Sequence, residues 1–210
     1  GGHNGDFGGG SSGRGGIISR SLNQRSGSSI MLGFMGNGVT PTNHLAVQWF
    51  LSSVWPAVRR NISGARLRLV GVPPDDRPKK QQRGICTART LQRCGWAWGT
   101  QFASLETAHG IDELGFLSDQ EMLTELGRWR AMVVPILRST GVNTKLFPAL
   151  QLGVPIILTS VAASPLQLPN DGSVALFADT ADAFARQILR LHAMGPSEGR
   201  RLAAAAQAHW

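Results

Sequence analysis

The chain has 210 residues, 42% of them hydrophobic, which is enough for one sizeable core and excludes a disordered polypeptide. Basic residues outnumber acidic ones 21 to 13, for a net charge of +8. Such a balance attracts anions, whether nucleotides, phosphorylated ligands, nucleic acid or acidic lipid, without choosing among them. No apolar run reaches the ~18 residues of a membrane span. No charged-then-apolar start resembles a signal peptide, so a cytoplasmic location is the default expectation.

Residues 1–29 hold ten glycines, many serines and Arg14, Arg20 and Arg25. Such a segment buries too little apolar surface to offset its ordering entropy, so a Gly/Ser/Arg tail or linker is expected. A single domain then spans residues 30–210. Ile30 to Phe34 reads as a strand ended by the tight loop Gly36-Asn37-Gly38. Thr42 or Asn43 is the expected cap of the following helix, whose buried stripe is Val47, Phe50, Leu51, Val54, Trp55 and Val58. Pro56 interrupts that stripe, predicting a kink or a restart.

Arg66 to Val70 is the second expected strand, ended by Gly71, and Ile111 to Phe116 the third. Ser118 and Glu121 have the spacing of a capping box, opening a helix through Leu126. Ala131 to Leu137 is apolar nearly throughout, as strands buried on both faces of a parallel sheet are. Asn143 or Thr144 is expected to start a helix that Gly153 stops. Strands follow at Pro155 to Thr159 and Val174 to Phe177, and helices from Thr180 and after Gly195-Pro196. Strands alternating with helices predict an α/β fold, a single Rossmann-like doubly wound parallel sheet with its ligand beyond the carboxyl ends of the strands.

Residues 77–105 carry six basic residues, Trp96 and Trp98, and no acid. They read as an inserted, solvated loop; a nucleic-acid patch is the lesser reading. Cys86 and Cys94, eight positions apart, lack a zinc spacing and read as free thiols rather than a disulfide. The five histidines form no cluster, so no metal is expected; His44 reads as a surface or cap residue.

Three loops carry the chemistry. Gly36-Asn37-Gly38 lets backbone approach a phosphate or sugar, but Pro41 stands where a dinucleotide fingerprint needs its third glycine. No Gly-Lys-Ser/Thr loop is present. Arg138 to Lys145, RSTGVNTK, joins the fourth strand to a helix. Its backbone N–H groups at Gly141, Val142 and Asn143 would meet an anion, with Lys145 adding a full charge in the first turn. Thr159 to Pro165 is small and polar enough to line a pocket. No paired carboxylates, Ser-His-Asp series or Cys-His pair stands out.

The stretches LGFMGNGVTPTNHLAVQWFLSSVWPAVRR, ARLRLVGVPP, HGIDELGFLSD and VVPILRSTGVNTKLFPALQLGVPIILTS, in that order, resemble the C-terminal, donor-binding domain of GT-B glycosyltransferases, specifically the retaining enzymes of family 4. The resemblance covers about Ile30 to Pro74 and His109 to His192. It implies a nucleoside-diphosphate sugar, UDP- or GDP-linked, as substrate rather than a cofactor, and transfer with retention. The diphosphate would lie against Thr140 to Lys145, and the ribose and base against the same helix and the loops near Gly71 and Phe116 to Ser118. The donor-binding set so implied is Gly36, Asn37, Gly38, Gly71, Ser118, Arg138, Thr140, Gly141, Val142, Asn143, Thr144 and Lys145, with no catalytic residue assigned. Many members of that family carry two glutamates eight positions apart on this loop and helix; Thr140 and Pro148 stand there instead. The basic pair that many carry after the first strand is replaced by Asn37 and Asn43. GT-B enzymes bind the acceptor on an N-terminal domain, so this chain is expected to be a fragment lacking it. The readings set against a donor domain are a non-catalytic domain of the same fold and a basic nucleic-acid-binding module.

Overall fold

In the computed structural model, residues 29–38, 40–71, 110–138 and 141–209 are described. The expected tail, the 77–105 stretch with its two cysteines and two tryptophans, and Thr140 lie outside them. Six parallel strands form one sheet: β1 (Met31–Met35), β2 (Arg66–Val70), β3 (Ile111–Gly115), β4 (Ala131–Val134), β5 (Ile156–Leu158) and β6 (Leu176–Phe177), in the order β3-β2-β1-β4-β5-β6. This is the doubly wound order expected from the alternation of elements, and its direction reverses between β1 and β4.

One face carries α1 (Pro41–Trp49) and α2 (Trp55–Asn61), with α6 (Ala181–Ala193) beside them. Val47, Phe50, Trp55, Leu67, Phe184 and Ile188 fill that core. The other carries α3 (Asp119–Leu126), α4 (Leu146–Leu152), the short α5 (Ser160–Ala163) and α7 (Pro196–His209) over Leu126, Trp129, Met132, Leu150 and Ile156. The connection after β1 therefore leaves to one face and that after β4 to the other, which opens a crevice between their loops. Gly33, in the middle of β1, makes room for the second face: a Cβ there would lie 2.0 Å from the Trp129 ring.

Several boundaries differ from expectation. β4 stops at Val134 rather than Leu137, because Pro135 has no N–H for the ladder. α1 starts at Pro41, whose fixed φ suits a first helical position, with Thr40 as N-cap in place of Thr42 or Asn43. The break expected at Pro56 is a π-helical turn, Phe50–Val54, after which α2 restarts with Pro56 in its first turn. Proline cannot donate to the carbonyl four residues back, so the helix widens just before it. α4 starts at Leu146, with Lys145 as N-cap. Asn143 and Thr144 do not cap it; they form a tight turn in which Leu146 N–H donates to Asn143 O at 2.9 Å and Phe147 N–H to Thr144 O at 3.1 Å. The capping box at Ser118 and Glu121, the Thr180 cap and the stop at Gly153 are where they were expected.

Candidate functional site

Gly71 at the end of β2, the loop after β1 and the loop after β4 lie at the carboxyl edge of the sheet. Gly36 N–H donates to Val70 O at 2.9 Å, and Gly71 N–H to Gly115 O at 2.9 Å, so the three strand ends on that side are tied by backbone alone. Gly71 has φ +91°, and a Cβ there would come within 3.0 Å of the Gly36 carbonyl oxygen. A Cβ on Gly36 would in turn lie 2.8 Å from Asn43 Nδ2. These glycines let the loops close on one another.

Lys145, at the end of the β4 loop, is the charge that faces β1 and the start of α1. Its stem is partly buried, and its ammonium lies 5.1 Å from the centroid of the Phe34 ring, close enough for a cation–π attraction. The same ammonium donates to Asn43 Oδ1, across from β4 to the start of α1. Asn43 is 8% exposed, and its Nδ2 donates to the Asn37 carbonyl at 2.9 Å. Among the described residues no carboxylate offsets the lysine: its bonded partner is a neutral amide, and the sequence has no acidic residue between Glu125 and Asp171. Burial alone lowers its pKa from 10.5 to about 8, because desolvation disfavours the charged form. A partly buried cation with no counter-ion among the described residues, at the reversal of strand order, attracts anions.

The remaining expected residues are distributed around it. Asn37 is exposed and Gly38 buried on the β1 loop. Arg138, Gly141, Val142 and Thr144 are exposed on the β4 loop, and Thr140 is outside the described residues. Asn143 is buried, and its Nδ2 donates to the Ala162 carbonyl of α5 at 2.9 Å, so it fastens its loop to the β5 side. The Thr159 hydroxyl donates to Ile136 O at 2.5 Å and accepts from Ala162 N–H at 3.2 Å. The 159–165 segment is thus a capped helical turn holding the β4 loop from below. Ser118 is occupied with Glu121, its N–H donating to that carboxylate at 2.9 Å. Beside it Phe116 projects from the β3 edge, 56% exposed.

Sequence reading missed two features. One is the Lys145–Asn43–Asn37 link, which joins residues 102 positions apart. The other is a buried charge network under α3. The Arg66 guanidinium grips Asp112 at 2.5 Å, and Arg68 bridges Asp112 at 2.9 Å and Glu125 at 2.7 Å. Trp129 Nε1 donates to Glu125 at 3.1 Å. Desolvation pulls the Glu125 carboxyl up, but the bonds from Arg68 and Trp129 outweigh it, and its pKa ends below the ordinary glutamate value. The alternation Arg66-Leu67-Arg68-Leu69 was the available signal, since a half-exposed strand with basic residues on its helix-covered face needs acids opposite.

Among the described residues no helix is long and apolar enough to cross a membrane. No curated protein matches the chain by sequence. Solved structures share its fold at low identity. HepE of Anabaena, solved with UDP and glucose, is 13% identical with a TM-score of 0.61, over 92% of this chain and 47% of its own. Sucrose-phosphate synthase of Thermosynechococcus elongatus is 15% identical with a TM-score of 0.60, over 92% of this chain and 43% of its own. The C-terminal domain of LpcC, a group 1 family glycosyl transferase of Francisella tularensis, is 14% identical with a TM-score of 0.53, over 86% of this chain and 83% of its own. The chain therefore spans less than half of the first two and most of a C-terminal domain solved alone. A family model described as glycosyl transferases group 1 matches residues 29–194. With that match across most of its length, and with the strand order and crevice of a doubly wound sheet, the chain belongs to the group 1 glycosyl transferases.

Proposed function

We propose that this chain is the donor-binding domain of a retaining glycosyltransferase, and that it holds a nucleoside-diphosphate sugar with the diphosphate against Lys145. The observation that carries the proposal is the lysine itself: a partly buried ammonium at the switch point, whose partners among the described residues are a neutral amide and an aromatic face. A diphosphate supplies the missing negative charge and is also the group that gains charge as the glycosidic bond breaks. A cation preorganised there binds the departing diphosphate more tightly than the intact donor, which is how such a contact accelerates transfer. In this reading the base and ribose extend toward Gly71 and the exposed Phe116. HepE, with its bound UDP, has the same fold, which fits this reading. In this reading the acceptor is held by a second domain; the chain spans 47% of HepE.

The test is a thermal-shift panel with UDP, GDP and NAD. Nucleotide at ~100 times its Kd adds ~2.7 kcal/mol, or roughly 5–10 °C for a domain of this size. A rise with UDP or GDP and none with NAD is expected, and the responding nucleotide names the base. A flat response to both diphosphates in a cooperatively melting chain would defeat the proposal.

A second reading, a non-catalytic domain of the same fold, is favoured by one observation. Pro148 lies half-buried on α4 at a position where the family resemblance leads to the expectation of a glutamate, and a proline side chain has no polar atom to offer a ribose. Sugar transfer by this chain joined to an acceptor-binding half would remove that reading.

A further inference from the structure

We propose that Asn43 is the positioning residue of this site, holding the Lys145 ammonium over the crevice with one end of its amide while fixing the β1 loop with the other. The proposal rests on the reading that Lys145 meets the diphosphate. The geometry is two-sided. Nδ2 donates to the Asn37 carbonyl at 2.9 Å, and Oδ1 accepts from Lys145. A flipped amide would point N–H groups at the ammonium and its oxygen at a carbonyl, so one orientation satisfies both contacts. The side chain has no room to move away: it is 8% exposed and packed where a Cβ on Gly36 would reach it at 2.8 Å. The link spans the point where the chain leaves β1 for one face and β4 for the other. It therefore couples two loops that share no helix.

The neutrality of the amide matters as much as its place. An aspartate would offer the same acceptor but would pair with the lysine and cancel the charge that an incoming diphosphate needs. Asparagine orients the cation and leaves it uncompensated. Among the described residues the other titratable groups on the segments around Lys145 are His44 on α1 and Arg138 on the β4 loop, with none on β1, on residues 36–38 or on α4.

The chain has only three lysines, Lys79, Lys80 and Lys145, so 13C-lysine NMR follows Lys145 directly, with Lys145→Gln identifying its signal. In the free wild-type chain the Lys145 Cε resonance is expected to titrate near pH 8. Asn43→Asp should move that titration upward by about one pH unit or more, and Asn43→Ala, which removes the acceptor without adding charge, should move it downward. UDP affinity at pH 7 should fall roughly tenfold in Asn43→Asp, although the lysine stays protonated there. A role confined to holding the β1 loop would lower Tm in both variants and leave the Lys145 titration where it was; that result would overturn the proposal. If Asn43→Asp does not fold, Asn43→Ala and the wild type decide. An unmoved titration in the alanine variant, or an ordinary lysine titration in the wild type, overturns it equally. Opposite shifts in the two variants without any binding of UDP or GDP by the wild type would sink the donor reading instead.

Discussion

Replacing Lys145 by methionine separates stability from binding. Methionine keeps the length and apolar stem and removes the charge. Burial takes the lysine from 10.5 to about 8, which at ~1.4 kcal/mol per unit is a penalty on the order of 3 kcal/mol for holding the charged form in the crevice at pH 7. Partial exposure of the side chain screens some of this. The substitution also leaves Asn43 Oδ1 without its donor, which costs about 1–2 kcal/mol. The net expectation is a gain of about 1–2 kcal/mol, or a Tm rise of roughly 3–6 °C. Scanning calorimetry measures it, and titration calorimetry with UDP and GDP on the same sample should find binding weakened at least tenfold. The pH dependence fixes the sign. Below pH 8 the lysine is charged in both states and the penalty is fully felt. Between 8 and 10.5 the unfolded chain binds the extra proton, so wild-type stability rises with pH and the advantage of the variant shrinks. A variant that is less stable than wild type at pH 7, or that binds the nucleotide as before, would refute the reasoning.

Gly33→Ala should cost about 2 kcal/mol or more in urea unfolding, because its Cβ would enter the Trp129 ring; pairing it with Trp129→Leu should recover part of the loss. Glu125→Gln should destabilise by about 3 kcal/mol at neutral pH, since it leaves Arg68 buried against a neutral partner. The Glu125 carboxyl is depressed in the fold, so its contribution is present above the unfolded value of ~4.3 and lost as pH falls through the lower folded one. The gap between the two proteins should therefore narrow in denaturant titrations carried into acid. Gly71→Ala should destabilise by about 1–2 kcal/mol, judged by the same titrations, because φ +91° is strained for any Cβ and the Gly36 carbonyl leaves no space for one.

The βα alternation and the doubly wound order were legible because each element carries its own signal. The apolar run after Ala131, the Ser118–Glu121 box and the Gly153 stop all act within a few residues. Boundaries failed where a proline overrode periodicity, as Pro135 shortened β4 and Pro41 moved the cap of α1 two or three residues toward the N-terminus, from Thr42 or Asn43 to Thr40. The β4 loop stood out in sequence, but its internal geometry did not. Asn143 looks like a cap in sequence, yet its amide is used on Ala162, and Lys145 takes the cap position. The contact between Lys145 and Asn43 exists only because β1 and β4 are neighbours, and no local pattern reports strand adjacency. The Arg66–Asp112–Arg68–Glu125 network was hidden for the same reason, since its members come from β2, β3 and α3.

The most direct test is a crystal structure of this chain grown with UDP, or with GDP if that is the nucleotide that raises Tm. The account predicts a diphosphate oxygen within ~3 Å of Lys145 Nζ, with Asn43 still bonded to Asn37 O and the nucleoside running toward Gly71 and Phe116. A nucleotide bound elsewhere, or a diphosphate in the crevice that leaves Lys145 on Asn43 and untouched, would contradict it.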